Sequence, residues 1–502
     1  MAQSLYALIS EAVVDGHLPD GFSLPHEPRS SGLSWADGAL DGVGIFHWGH
    51  GSITDEQKEL MTNAVTEAAN GNTSKADELF FKLGQLTRAL SAIDELQQYV
   101  IDNRDHIPAQ TLFEYALHLS TETADTESVK FGLSLLELFN TAGSKPVRKI
   151  VQTLGLSDEF TLFASFVIGQ WPDANEELFS LAQRVHGWGR IHLIERIEPE
   201  TPEIRTWLLR DGVHNDVMAA YSALECWNKS DAREVLKGEM SREDFSGVRD
   251  IIEGLLDEGP VSGISEIKDG PAIILTFLRQ AQTRSLDIND YETIRIIRIH
   301  YEDEDENNPE IINLCNAIIQ TDECRSQVME AVNSGRALAL ADELNIEYDE
   351  AILNLLRTDF DKGSFLCRTI MDDKDTRTQV LQIFREKLPF DKMKAVPSDT
   401  AGIGPEFKGV NQLEALVAEL GRFPLEGADL VAAILQTAPI RARGQGVAVL
   451  RSWVETKQEP LQTLLPDVHE TLCKVYKIET DDELKANMES LINGEMMFSH
   501  AE

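Results

Sequence analysis

Two histidines three residues apart, His47 and His50 in GVGIFHWGHGSITDEQ, open the sequence's case for chemistry. On a helix such a pair turns both rings to one side. Here the pair is set among Gly44, Gly49 and Gly51, ahead of a predicted helix. A catalytic zinc takes three protein ligands, and no glutamate stands between the histidines as HExxH requires. A second group lies in RVHGWGRIHLIERIEPETPEIRTWLLRDG, Arg184 to Gly212, where His186 and His192 flank a Gly-Trp-Gly turn. Glu195 follows His192 by three residues and shares its helix face. Brought together, His47, His50, His186, His192 and Glu195 would form the metal site of an enzyme, with Trp188 as a lid. Kept apart, Trp48, Trp188 and Trp207 are packing or surface aromatics, and His192, Glu195 and Arg196 form a polar seam. The second arrangement is the one expected, with no catalytic residue assigned.

Other catalytic patterns fail on inspection. Asp303, Asp305 and Asn307 match the first alternating ligands of an EF-hand loop, but the sixth position is Asn308 and the twelfth is Leu314, where a glycine and a bidentate glutamate belong. There is no GxxxxGK[ST] phosphate cradle and no GxSxG nucleophile elbow. The five cysteines, Cys226, Cys315, Cys324, Cys367 and Cys473, form no CxxC pair. So sparse and odd a set points to reduced thiols and a cytoplasmic home. The opening MAQSLYALISEAVVDG lacks the basic region of a signal peptide. No apolar run approaches the roughly 18 residues that span a bilayer. No cofactor is expected from these motifs.

The elements that would position these residues read as helices almost throughout. ADELFFKLGQLTRAL, AQTLFEYALHLS, ESVKFGLSLLELF and DLVAAILQTA place apolar residues three and four apart. Thr54 and Gln57 have the spacing of a capping box, predicting a helix start there. Strand-like alternation is scarce, apart from GALDGVGIFHW, whose Asp-Gly flanked by apolar residues predicts a short hairpin. A phrase recurs along the chain: a turn, then Val or Ile, then Arg, then apolar residues at helical spacing. It occurs at Arg148, Arg205, Arg249, Arg295 and Arg441, with fainter echoes at Arg336 and Arg377. The steps from Arg205 to Arg249 and from Arg249 to Arg295 fall in the ~40–47 residue period of HEAT and armadillo repeats. The phrase resembles the start of a HEAT inner helix, where the arginine binds turn carbonyls or an acidic neighbour. The fold class expected is all-α: an α-solenoid of HEAT/armadillo-like helix pairs behind a short irregular N-terminal segment. The expected organisation is residues 1–52 as that segment, 53–387 as the array, 388–412 as a long loop, and 413–502 as C-terminal repeats.

Three blocks carry a family resemblance. HGWGRIHLIERIEPETPEIRTWLLRDG, LQTAPIRARGQGVAVLRSW and GIFHWGHG are similar to blocks in bacterial proteins of comparable length labelled limonene hydroxylase. That resemblance implies a monooxygenase, which would need a haem, flavin or non-haem iron centre. No binding motif for any of the three stands in the sequence. The blocks fit equally a helical-repeat protein with no catalytic role.

Charge narrows the partners. Against 45 lysines and arginines stand 85 aspartates and glutamates, a formal net charge of −40. Such a field repels phosphate backbones, so direct nucleic-acid binding is disfavoured. The function expected is that of a non-catalytic binding or scaffold protein for a basic protein or peptide. The alternative reading of the charge is that it serves solubility alone.

Overall fold

In the computed structural model, residues 3–25, 35–49, 51–259, 261–303 and 307–494 are described. His50 and Asp305 therefore lie outside the described residues. The protein is all-α. Among the described residues the one extended pairing is an isolated bridge between Val14 and His17, and no helix is long and apolar enough to cross a membrane.

Local chemistry sets the helix starts. Thr54 accepts from the Gln57 amide while the Gln57 side chain reaches back to the Thr54 amide, closing the capping box that opens Asp55–Ala69. Asp125, Thr201, Ser241, Thr321, Asp373 and Asp481 cap later helices more simply, each side chain accepting an amide three residues on. Each such cap stabilises by about 1 kcal/mol. Neighbouring helices then bury their apolar stripes on each other. Asp55–Ala69 packs on Thr73–Leu86, Ala109–Glu122 on Thr126–Leu136, and Ala220–Lys229 on Arg242–Leu256. Further along, Lys408–Leu420 packs on Ile440–Lys457.

The chain divides into two compact units. One holds residues 1–286 with 293–316, the other 287–292 with 317–502. The division does not fall at the long loop expected over 388–412. That stretch lies inside the second unit and contains the short helix Phe390–Met393 and the 3-10 turn Pro405–Phe407, with Lys408–Leu420 starting before its end. It is bound down as a strap: the Ala395 amide donates to the Gln436 carbonyl, the Ser398 amide to Ala438, and the Ile440 amide to Thr400. Backbone groups satisfied in this way need no regular secondary structure.

The arginine phrase has a structural meaning in both units. Arg205 Nη1 donates to the Pro199 carbonyl, six residues back, at 2.6 Å, and its Nε lies 3.0 Å from Asp231. Arg377 Nη1 donates to the Met371 carbonyl, also six back, at 2.7 Å, while Nε and Nη2 grip Glu426. Arg443 repeats the arrangement on the Thr437 carbonyl at 3.4 Å, six back, with Glu479 as its carboxylate. One planar guanidinium thus satisfies the turn before its helix and reaches an acid on a later element. In the C-terminal phrase this position belongs to Arg443, two residues beyond Arg441. Arg441 pairs at the rim with Glu414 and Asn411. Arg148 takes Asp173 bidentately, adds Glu177, and stacks on Trp171. Arg249 is buried beside Asp250, and Arg295 is half-buried on Ile288–Glu302.

Candidate functional site

The stretch 39–48 is helical, not the hairpin its Asp-Gly suggested. It forms the turn Ala39–Val43 and runs on into a π-helical turn, Gly44–Trp48. The reason is tertiary. Asp41 is drawn inward to a buried cation, Gly42 allows an approach to the Trp188 ring that a larger residue would block, and Gly44 lies close to the Arg88 guanidinium. A Cβ on Gly42 would stand 2.1 Å from the Trp188 ring, and one on Gly44 would stand 2.4 Å from the Arg88 guanidinium. A hairpin would turn Asp41 and Gly42 outward and give up both.

The receiving cation is Lys130, on the buried helix Thr126–Leu136. Its ammonium lies 2.6 Å from Asp41, 2.6 Å from Glu159 and 3.6 Å from Glu127. Burial works against the charged amine, but the three carboxylates override it and hold its pKa well above that of free lysine. Lys130 is therefore a fixed cation and no nucleophile. Arg88 adds a second positive charge, 3.5 Å from Asp41, and donates to the Leu40 carbonyl at 2.7 Å. Glu159 accepts the Gly38 amide at 2.7 Å, and Glu127 accepts the Ala89 amide at 2.6 Å. Two cations and three carboxylates rivet residues 38–41 to the first unit.

Aromatic packing holds the other end of the segment. Phe46 lies against Tyr221 at 4.9 Å between ring centroids, Trp188 at 6.0 Å and His192 at 6.4 Å. The His47 imidazole shares a 2.6 Å hydrogen bond with the Tyr221 hydroxyl. Trp48 is 64% exposed and meets Trp35 edge-on at 5.9 Å.

The residues with candidate chemistry are thus partly gathered and partly dispersed. His47 and His192 enter one aromatic cluster, His47 through Tyr221 and His192 through Phe46 and Trp188. His192 is buried, with Nδ1 3.6 Å from Glu195, while the Glu195 carboxylate is half-exposed. His186 is exposed and contributes its carbonyl, which accepts the Asp216 amide at 2.8 Å. Trp207 packs edge-on to Phe179 with Arg190 over its face. Among the described residues, no three His, Cys, Asp or Glu side chains are placed to hold a metal ion. The ligand set for a non-haem iron is therefore not assembled by them. Burial pushes the thiols of Cys315, Cys324 and Cys367 up to about 12 and raises that of Cys226 as well.

The Gly-Trp-Gly turn has a different purpose from the one its histidines suggested. It wraps Asp158: the Gly189 amide donates to the Asp158 carboxylate at 2.7 Å, and Gly187 donates as well. Burial nevertheless pushes the Asp158 pKa up to about 6, against the pull of those amides and with Asp37 and Asp216 nearby. Lys130, Asp41, Glu159 and Asp158 were not singled out from sequence. The one available signal was a lysine inside the apolar run SVKFGLSLL, since a buried lysine requires carboxylates.

What this site does is bind a segment of its own chain through charge and aromatic surface. Comparison with protein-family models, curated proteins and solved structures finds no match for this chain.

Proposed function

We propose that the protein is a non-catalytic binding scaffold, an α-solenoid of HEAT/armadillo-like helix pairs whose acidic surface takes a basic protein or peptide. The observation that supports this most is the placement of charge. Five cations are buried, Lys130, Arg190, Arg249, Arg377 and Arg443, against five buried acids, Asp41, Glu127, Asp290, Glu414 and Glu479. The buried charges cancel, so the negative excess of the described residues is carried where solvent reaches it. A field of that sign steers cations toward the surface and turns phosphate backbones away. The recurring arginine that ties a turn carbonyl six residues back to a later carboxylate supports the repeat reading. The buried thiols and the locked Lys130 ammonium offer no activated nucleophile.

The test is direct binding by the full chain of an unstructured lysine-rich peptide and a glutamate-rich peptide of equal length. The scaffold reading expects saturable binding of the first alone. Equal affinity for both, or for neither, contradicts it.

A further inference from the structure

The second unit carries a groove that the described residues of that unit leave open. It lies between the end of Asp322–Ala331, the 3-10 turn Val332–Ser334 and the helix Asp349–Thr358. The cavity measures about 450 Å³ and is lined by Met329, Val332, Ile346 and Ala351 together with the polar Asn333, Glu347, Glu350 and Asn354. Val332 and Ile346 are buried and form a fixed apolar floor, whereas Met329 is 55% exposed. A methionine on a surface groove is unbranched and polarisable, and adapts to varied apolar shapes.

The walls are held independently of any occupant. Gly335 closes the 3-10 turn at φ +71, in the left-handed region, where a Cβ would stand 2.4 Å from Leu366. Arg325 Nη1 donates to the Leu344 carbonyl at 2.7 Å, and the Ile346 amide donates to the Ala341 carbonyl at 2.8 Å. These bonds fix Ile346 opposite Met329 before anything docks, which lowers the ordering cost of binding.

The surrounding charge says what fits. From Thr321 to Thr358, the end of the helix that walls the groove, there are eight acidic residues, Asp322, Glu323, Glu330, Asp342, Glu343, Glu347, Asp349 and Glu350, against three arginines, Arg325, Arg336 and Arg357. Among the described residues no cation pairs with Glu347. Glu350 meets Arg357 at 3.2 Å in an exposed pair that exchanges at little cost. Four apolar side chains beside two glutamates suit an amphipathic helix, which presents apolar anchors at i, i+3 or i+4, and i+7.

We infer that the groove formed by Met329, Val332, Ile346 and Ala351 docks an amphipathic helix of a partner protein, its apolar stripe on Met329 and its lysines or arginines beside Glu347 and Glu350. This rests on the proposed reading of the protein as a scaffold for basic partners, and assigns that reading a site. Apolar contact with Met329 supplies selectivity for a patterned helix, and the glutamates supply sign.

The experiment uses the full chain and a fluorescent peptide of about 15 residues, long enough to form a helix on docking. Three peptides are compared: leucine and lysine at helical spacing, the same composition scrambled, and leucine and glutamate at helical spacing. The patterned basic peptide is expected to bind about tenfold tighter than its scramble, the effect of one well-buried apolar side chain. Met329→Ala should weaken the patterned peptide about tenfold and leave the scramble unchanged. Glu347→Lys with Glu350→Lys should weaken both basic peptides. Met218→Ala, at an exposed methionine of the other unit, should change neither. Unaltered melting of Met329→Ala separates loss of docking from loss of fold. If patterned and scrambled peptides bind alike and Met329→Ala is silent, the groove assignment is overturned while the acidic scaffold reading stands. If no basic peptide binds, both fall.

Discussion

Arg443 and Glu479 form an ion pair closed to solvent on both sides, with Nη2 2.7 Å from Oε1 and each side chain 0% exposed. Burial opposes the Glu479 charge, but Arg443 and the Thr480 and Asp481 amides override it and hold the pKa below the usual glutamate range. Arg443 also donates to the Ser398 and Ala438 carbonyls, so the same guanidinium anchors the strap that runs over 388–407. Arg443→Ala would leave a buried carboxylate and unsatisfied carbonyls, and a loss of about 3–5 kcal/mol in urea unfolding is expected. Replacing both residues with apolar side chains of similar volume should cost much less than the single change. Equal losses would show that the pair does not act as a unit. Because the Glu479 pKa is depressed, its contribution is present above the unfolded value and lost as pH falls through the folded one.

Asp41 and Lys130 make a comparable bond, but its consequence is local. Asp41→Asn should release the segment 35–49 while the rest of the first unit stays folded. Hydrogen exchange reads this directly: the amides of residues 39–48 are expected to exchange faster, and those of Thr126–Leu136 to be unchanged. Lys130→Met removes the only ammonium among three carboxylates and should lower global stability by about 3–5 kcal/mol. Protection of 39–48 that survives Asp41→Asn would show that the Arg88 bond to Leu40 and the packing of Phe46 and His47 hold the segment without the Asp41 charge.

Much of the architecture was legible from local rules. The capping box at Thr54 and Gln57 and the apolar spacing operate within a few residues, where sequence and structure speak the same language. The hairpin expected over 39–48 failed because Asp41-Gly42 answers to Lys130, 89 residues later, and to Trp188. Long-range bonds also hold the Gly- and Pro-rich stretch that reads as a long loop: its amides at 395 and 398 meet the carbonyls of 436 and 438. The Gly-Trp-Gly turn was noticed for its histidines, although its amides, invisible as residue types, are what meet Asp158.

Asp158 yields a pH signature of opposite sign to Glu479. Its folded pKa of about 6 lies above the ordinary aspartate value. Between roughly pH 4 and 6 the folded state then binds more protons than the unfolded one, so this group's contribution falls as pH rises through that window. Ionised Asp158 costs about 1–3 kcal/mol above pH 6. Asp158→Asn keeps a carbonyl for the Gly189 amide and removes that cost. The variant should be more stable than the parent at pH 8, with the difference closing as pH drops through 6. A difference independent of pH would place the Asp158 pKa near its ordinary value.

The arginine staples should separate folding from binding. Arg205→Ala and Arg377→Ala each abandon a turn carbonyl and a carboxylate, and a drop of about 1–3 kcal/mol is expected in each. Affinity for a basic peptide, measured below the melting transition, should hold. The reverse result, intact melting with lost binding, would assign these residues to the partner surface.

The most direct test of the account is the ionic-strength dependence of peptide affinity in the full-length protein. Raising the salt from about 0.01 M to about 0.15 M shortens the Debye length from about 30 Å to about 8 Å. If an acidic exterior gathers a basic partner, affinity for a lysine-rich peptide falls steeply across that range while a glutamate-rich peptide stays unbound throughout. Affinity that ignores salt, or binding that ignores the sign of the peptide, would contradict it.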